Sequence, residues 1–575
     1  MKAAALCVLA ALAAMAADRK DPVLRAMEDE LARSRTLRTM GLDQPYYFEY
    51  AIHDGYRLDI SAILGGLVLD RPARYRFPEV EVRAGDYQFD DSNYGGSDAR
   101  GGVRYDIAGP LDDSYSVLRR DLWLATDAGY KEALEVLALK KAALRDVTRT
   151  DDLPDFDAAK PLERLTAVPV RPFDEAAWKA RVCRLSALFA KYPDLRLTGV
   201  SFSGGAGRFY LATSEGTRVS VPETSVAVRI RGRAQAPDGM MLRDGAAFYS
   251  LDPAGLPPEA ELERGVKEVA ENLTALAAAP VGESYAGPVL FEGVASAQLF
   301  AQVLGGNLAV ARRPVMPAGR APAQADNELE NRLGSRILPE WMDVADDPTQ
   351  VQWHGRALFG HYDVDLEGVA AERVAVVEKG VLRGFPLTRQ PVKTFRASNG
   401  HARLPGRLGV KSAAIGTLFV NASGGIPEAA LKQRLIELCR QRNAPYGILI
   451  RKLDFPTTAA GTELRRLMTG GRTGGARPVT PPVLVYQVFP DGHELLVRGV
   501  RLRSFGVRSL KDIVAASDTM TALDFYDSGA PMGVTGAVAA EASVVAPSVL
   551  IDDVELEPSD EELPKLPLVP APRNQ

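Results

Sequence analysis

Glu292 is the single charged residue in an apolar stretch at residues 285–304, YAGPVLFEGVASAQLFAQVL. After Gly287 and Pro288, apolar residues fall on almost every side of a helical wheel, which predicts a central, buried helix. A carboxylate in such a helix is costly unless a partner pairs with it or it stays protonated. Glu292 is therefore the first candidate for chemistry. The alternative is a structural carboxylate, held by the first-turn amides and the helix dipole or by a polar partner.

The histidines decide whether the chain offers other metal ligands. There are five of them: His53, His354, His361, His401 and His493. His493 and Glu494 follow a predicted hairpin turn and not a helix, so they do not form a zincin motif. A site built from His361, His401 and Glu292 stays open as an alternative, although ordinary hydrogen-bonded or surface histidines are favoured.

Nucleophilic and carboxylate-pair chemistry find less support. No G-x-S-x-G elbow is present, and Ser296 has no identifiable base for a Ser-His-Asp triad. Asp90-Asp91 and Asp112-Asp113 lie in turn-rich segments, where aspartate hydrogen-bonds to the local backbone. The glycines of residues 201–207, SFSGGAG, predict a hairpin turn because the pattern lacks the features of a phosphate loop.

Composition limits the class of protein. The chain has 575 residues, which is enough for two to four domains, with 46% hydrophobic and 25% charged residues. Its net charge of -5 and the absence of a basic block argue against nucleic-acid binding. Of the three cysteines, Cys7 lies in the N-terminal apolar run, and Cys183 and Cys439 lie in different halves, so no disulfide framework is expected.

Residues 1–17 resemble a secretory signal peptide, with Lys2, a short apolar run and small residues before Asp18. The apolar run is too short to span a membrane. We therefore expect export across the inner membrane and a periplasmic location; an N-terminal helix of a cytosolic protein is the alternative. Residues 558–575 have the acidic and then proline-rich composition of a tail.

The remaining pattern predicts an α+β fold. Apolar periodicity indicates helices at residues 21–37, 115–145, 175–192, 259–279 and 427–442. Alternation predicts strands at residues 46–53, 56–64, 75–87, 195–203, 207–213, 217–231, 240–249, 359–363, 374–378, 381–385, 416–421, 446–453, 483–489 and 494–502. A hairpin turn is predicted at Asp54-Gly55, between the first two of these strands. We expect an N-terminal mixed domain at residues 18–280 and a sheet-rich C-terminal domain at residues 285–557.

Four phrases in the second half of the chain resemble one family. They are GPVLFEGVASAQLF within residues 285–304, GSRILPEWMDVADDPT at 334–349, GHYDVDLEGVAAERVAVVEKGVLRGF at 360–385 and SNGHAR at 398–403. Their order and spacing are similar to the C-terminal domain of the TldD/PmbA metallopeptidases, from about residue 285 to 556. The resemblance implies a two-domain fold whose central helix carries a His-Glu-x-x-x-His zinc motif. It also implies a dimer, because the family pairs a metal-bearing subunit with one that lacks the motif.

The chain departs from that motif at the zinc ligands. Phe291 and Ser296 stand where the family has its two histidines, and Glu292 alone remains. The family's third ligand is a cysteine near the C-terminal end, but this chain has no cysteine after Cys439. Zinc needs three or four nitrogen, sulfur or oxygen ligands, and the family's general base acts on a metal-bound water. The resemblance therefore implies a site without metal, in which Glu292 is an inactive remnant.

Three functions remain after these departures. The first is a metal-free relative that binds unfolded peptides or partners an active TldD-like protein, as a homodimer or heterodimer and without a cofactor. The second is an active zinc-dependent peptidase with atypical ligands. The third is a structural or interaction protein of the cell envelope that kept the fold.

Overall fold

Two β-sheets organise the chain. The structure is a computed structural model that describes residues 21–38, 42–96, 103–105, 108–146, 151–320, 327–406, 408–459, 479–529 and 539–559. One sheet is built from the N-terminal half of the chain and the other from the C-terminal half. The predicted α+β fold is therefore confirmed. The predicted signal peptide at residues 1–17 lies outside the described residues, as does nearly all of the predicted tail.

The N-terminal sheet has seven strands in the order β3-β2-β1-β5-β6-β4, with β7 paired to β6. These strands are β1 (Pro45–Ile63), β2 (Gly66–Ala84), β3 (Val103–Tyr105), β4 (Glu163–Leu165), β5 (Leu197–Thr213), β6 (Arg218–Gln235) and β7 (Met241–Ser250). Four helices pack on one face: α1 (Pro22–Ser34), α2 (Tyr115–Ala143), α3 (Glu175–Ala187) and α4 (Glu259–Ala278). The apolar side chains of alternate strand residues form the core beneath them.

The C-terminal sheet has eleven strands in the order β13-β12-β9-β16-β22-β8-β17-β18-β19, with β20 and β21 paired to β22. Its strands are β8 (Tyr285–Phe291), β9 (Met342–Asp346), β12 (Val374–Glu378), β13 (Val381–Leu382), β16 (Thr417–Ala422), β17 (Gly447–Leu453), β18 (Pro482–Val488), β19 (Glu494–Val497), β20 (Val500–Leu502), β21 (Ile513–Asp527) and β22 (Ala540–Pro558). The short strands β10 (Gln352–Trp353) and β11 (Arg356–Ala357) pair with each other, as do β14 (Ala402–Leu404) and β15 (Ser412–Ala413).

The helices of this half are few. A buried helical segment consists of α5 (Val294–Phe300), a π-helical turn (Ala301–Gly305) and α6 (Gly306–Leu308). The helix α7 (Glu428–Gln441) packs on the sheet through its own small core. Among the helices in the described ranges, none is both long and apolar enough to cross a membrane.

The prediction of a helix that begins after Gly287-Pro288 and continues to residue 304 was wrong at its N-terminal end. Residues Tyr285–Phe291 form β8, which lies between β22 and β17 in the middle of the sheet. A strand covered on both faces is apolar without alternation, so its pattern resembles that of a buried helix. The helix begins only at Val294, and it is buried as predicted.

Two predicted turns in the N-terminal half were also wrong. β1 continues through Asp54-Gly55, and the chain turns at Leu64-Gly65. β5 likewise runs through the glycines of residues 201–207. Gly55 and Gly207 are register partners, and a Cβ on Gly55 would lie 2.7 Å from the Gly207 Cα. These glycines permit close approach of two strands and do not form turns.

The predicted strand at residues 359–363 is absent, because this segment is irregular. Gly360 sits against Gly416, where a Cβ would lie 2.0 Å from the Gly416 carbonyl oxygen. The Gly360 amide donates to Ser543 Oγ at 2.9 Å, so the backbone here bonds to a side chain instead of a neighbouring strand. The predicted strand at 374–378 is confirmed as β12.

Candidate functional site

Phe291, Glu292 and Ser296, which stand at the motif positions, lie at or beside the turn between β8 and α5. The Glu292 amide donates to the Ile450 carbonyl at 2.9 Å, which extends the pairing of β8 with β17 by one residue. Gly293 then turns the chain with φ 56°, a conformation that favours glycine. Its amide donates to Ser548 Oγ at 2.8 Å. The Glu292 side chain is consequently fixed at a strand–helix junction, one residue before the helix cap.

The Glu292 carboxylate is paired with an arginine. Arg451 Nε donates to Glu292 Oε2 at 2.7 Å. The two terminal nitrogens of Arg451 donate to the Glu494 carboxylate at 2.9 and 3.2 Å, and Lys432 Nζ donates to the same carboxylate at 2.6 Å. The Arg451 guanidinium also lies 4.7 Å from the centre of the Tyr486 ring. Of the two structural roles considered for Glu292, the polar partner is the one observed, because α5 has no side-chain cap.

The pKa shifts of Arg451 and Glu494 show that these ion pairs stabilise the charged forms of both side chains. Burial lowers the pKa of Arg451, but hydrogen bonds to Glu292 and Glu494 outweigh it, so the net pKa of Arg451 is raised. Burial raises the pKa of Glu494, but Lys432 and Arg451 lower it more. Arg451 and Glu494 therefore stay charged at neutral pH.

Phe291 and Ser296 offer no zinc-binding set beside Glu292. The Phe291 ring is fully buried, 6.0 Å from the Phe505 ring. Ser296 Oγ is buried and donates to the Pro547 carbonyl at 2.6 Å. A phenylalanine provides no donor atom, and the carboxylate of Glu292 is already bound by Arg451. These residues do not fit a tetrahedral zinc site.

His401 and His361 have structural partners of their own. His401 is fully buried; its Nδ1 lies 2.9 Å from both the backbone oxygen and the Oδ1 of Asn399. Its Nε2 lies 3.5 Å from Asp346 Oδ2. His361 Nδ1 lies 2.8 Å from the Pro348 oxygen. These contacts hold loops of the C-terminal half together.

The other three histidines, His53, His354 and His493, each have different surroundings. His53 Nδ1 pairs with Glu223 Oε2 at 2.8 Å, and its ring lies 4.8 Å from that of Phe209. His354 has a positive φ of 48° between β10 and β11. His493 stacks on Phe489 with 5.7 Å between ring centres.

One group of carboxylates was missed by the sequence analysis. Within the described ranges, the one set of three or more histidine, cysteine or acidic side chains whose ligand atoms lie within 4.8 Å of one another is Glu49, Glu79 and Glu81. His361, His401 and Glu292 do not form such a set, so the structure does not bring them together as metal ligands. No spacing rule could have found it together with its partner Lys411, because β1, β2 and a loop of the C-terminal half supply the residues.

Lys411 supplies the positive charge at this cluster. Its Nζ lies 2.6 Å from Glu49 Oε1, 3.0 Å from Glu79 Oε1 and 3.5 Å from Glu81 Oε2. Tyr47 donates its hydroxyl to Glu49 at 2.7 Å. Burial raises the pKa of Glu49 more strongly than Lys411 lowers it. The cluster is therefore an ion-pair network that joins the two halves of the chain.

The acidic pairs considered in the sequence are also structural. Asp90 accepts hydrogen bonds from Arg83 and from the Tyr46 hydroxyl, both at 2.8 Å. Asp91 accepts from the Ala84 amide at 2.8 Å. Asp113 pairs with Arg76 at 2.6 Å.

Comparison with known proteins supports the family resemblance. Residues 284–441 match the family model of the PmbA/TldA metallopeptidase C-terminal domain. This part of the chain is similar to the C-terminal domain of the TldD/PmbA metallopeptidases. It is 35% identical over 83 residues to a protein of Archaeoglobus fulgidus named metalloprotease, covering 14% of this chain and 18% of the relative. It is 37% identical over 81 residues to a metalloprotease of Methanothermobacter thermautotrophicus, covering 14% and 16%. The matched segment thus spans less than a fifth of each of these relatives.

Solved structures show that the TldD/PmbA fold extends over most of the chain. TldE from Thermococcus kodakarensis is 12% identical, with a TM-score of 0.55 and coverage of 92% of this chain and 99% of that one. A protein of Thermotoga maritima described as a candidate modulator of a DNA gyrase is 13% identical, with the same TM-score and coverage. At this level of identity the likeness concerns the fold, which has the two domains that the resemblance implied.

Proposed function

We propose that this protein is a metal-free, non-catalytic relative of the TldD/PmbA metallopeptidases that binds unfolded peptides or partners a metal-bearing relative. One observation carries the proposal: the Glu292 carboxylate is bound by Arg451 at 2.7 Å, and Phe291 and Ser296 point into the core and onto the backbone. A general base needs a metal-bound water to act on in this kind of site. Here the residues at the motif positions stabilise the turn instead.

Peptide binding would use the backbone more than particular side chains. A sheet-rich domain can add an extended peptide as a further strand, so that main-chain hydrogen bonds give affinity and side-chain pockets give preference. We expect weak and broad binding of unfolded peptides near α5, and no binding of folded proteins.

The test is a titration of the protein with unstructured peptides, in which binding is measured by fluorescence anisotropy and by calorimetry. A folded protein of similar charge serves as the control. Saturable binding of the peptides alone supports the proposal. A blank result for every peptide in both methods would instead favour a structural or interaction role in the cell envelope.

The relatives named metalloproteases favour one other candidate, a zinc-dependent peptidase with atypical ligands. It requires ligands other than Phe291 and Ser296. Stoichiometric zinc in the purified protein, together with zinc-dependent cleavage of an unstructured peptide, would support this candidate over the first.

We further propose that the protein acts as a dimer, with a second copy or with a TldD-like relative, through its C-terminal domain. Closed two-fold assemblies are the commonest among oligomers of one chain. Light scattering at micromolar concentration, with identification of co-purifying proteins, tests this. A monomer without any co-purifying relative would contradict it.

Export to the periplasm is proposed from residues 1–17. The mature chain is then expected to begin near Ala17 or Asp18. Intact-mass measurement on exported material tests this, and retention of Met1 would contradict it.

A further inference from the structure

The face of the N-terminal sheet opposite its four helices carries a row of arginines. Val228 and Ile230 of β6 point into the core under α4. Because side chains alternate along a strand, Arg229, Arg231 and Arg233 share the opposite face. Three like charges at alternate positions repel one another unless each has a partner.

Two of these arginines are engaged. Arg229 Nη1 donates to Ser203 Oγ at 2.9 Å, and its guanidinium lies 5.6 Å from the ring centres of both Tyr249 and Tyr526. Arg233 Nη2 donates to the Thr458 carbonyl at 3.4 Å. Tyr526 belongs to β21 of the C-terminal half, so this part of the face lies against the second sheet.

Arg231 differs from its neighbours. This residue is exposed, and it has no anionic partner among the residues that the structure describes. The surrounding protein lowers the pKa of Arg231, and the charges of Arg229 and Arg233 lower it further. An anion bound at this guanidinium would relieve that repulsion.

The neighbouring strands leave Arg231 uncovered. Its register partners are Gly199 on β5 and Gly245 on β7, neither of which has a side chain. At Gly245 a Cβ would lie 2.9 Å from both the Ile230 oxygen and Thr458 Cγ2, so a larger residue does not fit. At Gly199 a Cβ would make ordinary van der Waals contact with the Ala62 oxygen at 3.7 Å, so a side chain would fit there, and glycine leaves an opening in its place. Ser201, the register partner of Arg229, adds a hydroxyl beside this opening.

We propose that Arg231, supported by Arg229 and Ser201, binds a carboxylate of an extended peptide. This inference rests on the peptide-binding function proposed above and adds a charge preference to it. A guanidinium presents a planar pair of donors that matches the two oxygens of a carboxylate. A nucleic acid is a poorer fit, because the chain has a net charge of -5 and no basic block. The carboxylate comes from either the peptide C-terminus or an acidic side chain.

The test compares three versions of one unstructured peptide by fluorescence anisotropy at low salt. The first has a glutamate and a free C-terminus, the second has glutamine in place of the glutamate, and the third has an amidated C-terminus. Each is titrated against the wild type, Arg231→Gln and the control Arg264→Gln. Arg264 is 64% exposed on α4, on the other side of the sheet, so the control removes the same charge elsewhere.

The wild type should bind the peptide that carries the recognised carboxylate about tenfold more tightly than the version that lacks it. Arg231→Gln should abolish that difference and leave the neutral peptide's affinity unchanged, whereas Arg264→Gln should keep it. The version that loses affinity identifies the source, terminal or side chain. Arg231→Glu should reverse the preference, favouring a peptide with lysine in place of glutamate.

The outcomes separate the two proposals. Equal affinity of the wild type for all three peptides, or an unchanged preference in Arg231→Gln, would overturn this inference and leave peptide binding intact. No binding of any peptide would overturn both. Thermal unfolding of each variant confirms that it is folded before it is scored.

Discussion

The turn at Glu292 and the cluster at Lys411 are both built from ion pairs, but they differ in depth. At the turn, the side chains of Glu292 and Arg451 are 24% and 36% exposed. At the cluster, the side chains of Lys411 and Glu49 are only 4% and 1% exposed. The turn carries the family motif, whereas the cluster joins β1 and β2 to a loop of the C-terminal half. We therefore expect stability to depend more on the charges of the cluster, which no motif marks, than on those of the turn.

The comparison also separates two reasons for keeping a carboxylate. Glu292 has one strong partner at a half-exposed junction, so losing its charge should have a modest cost. Glu49 shares Lys411 with two other carboxylates away from water. Removing the lysine therefore leaves Glu49 and Glu79 without this cation at once, while Glu81 keeps Arg83. The predictions that follow test this ranking.

The largest effect is expected for Lys411→Met. It leaves Glu49, Glu79 and Glu81 without their shared cation, and breaking a buried ion pair in this way costs about 3–5 kcal/mol. Chemical denaturation should show this loss in the free energy of unfolding. The matched control is Lys131→Met, whose side chain is 72% exposed on α2 and, among the residues that the structure describes, forms its ion pair with Asp127. That variant should change stability by no more than about 0.5 kcal/mol. Similar losses in both would contradict the ranking.

A smaller effect is expected for Arg451→Met. The variant removes hydrogen bonds to Glu292 and Glu494 and the contact with Tyr486; Glu292 loses this cation, while Glu494 keeps Lys432. We expect a loss of about 1.5–3 kcal/mol, toward the lower end because Arg451 is partly exposed. A double-mutant cycle with Glu292→Gln should give a favourable coupling energy for this pair. A coupling of zero would mean that Arg451 does not hold Glu292 in solution.

Glu292→Gln should cost still less. The amide keeps the shape and an acceptor oxygen for Arg451 Nε, so stability should fall by no more than about 1–2 kcal/mol. Peptide binding should remain nearly intact, because no chemistry depends on the charge. Calorimetric titration with an unstructured peptide measures this. Loss of binding in a folded variant would show that Glu292 touches the peptide.

The smallest expected effect is a pH dependence at His53. Burial lowers the pKa of His53, but the charge and hydrogen bond of Glu223 raise it more, and His53 in turn lowers the pKa of Glu223. The pair is therefore charged between the lowered pKa of Glu223 and the raised pKa of His53. Its contribution to stability is present below the ordinary histidine value of about 6.5 and is lost as pH rises through the raised pKa.

The check is the difference in melting temperature between the wild type and His53→Gln across this range. The difference should be largest at mildly acidic pH and should shrink toward alkaline pH. A difference that is constant with pH, or that grows as pH rises, would mean that His53 is not charged in the folded protein.

The fold class was predictable because helix and strand periodicity survive in most segments. The helix α2 and the strands β12 and β17 appear close to the predicted positions. The pattern of residues in strand β8 predicts a helix, because a strand buried on both faces loses its alternation. Gly55 suggested a turn, yet it permits the close approach of β1 to β5, which depends on tertiary contacts.

The candidate site was predictable only in part. Phe291, Glu292 and Ser296 lie at the strand–helix junction, and their positions could be inferred from the family phrases. Their partners could not, since Arg451 is 159 residues from Glu292 in the chain. The cluster at Lys411 was out of reach for the same reason, because Lys411 is 362 residues from Glu49. Long-range ion pairs leave no local pattern.

The most direct test of the central claim is cleavage of an unstructured peptide by the wild type and Glu292→Gln, with and without added zinc, alongside metal analysis of the purified wild type. If the motif positions hold no metal, zinc will be well below one equivalent, and turnover will be negligible and equal in both proteins. Zinc-dependent turnover by the wild type that vanishes in Glu292→Gln, where removing a general base typically costs about 10²–10⁴-fold in rate, would contradict the account.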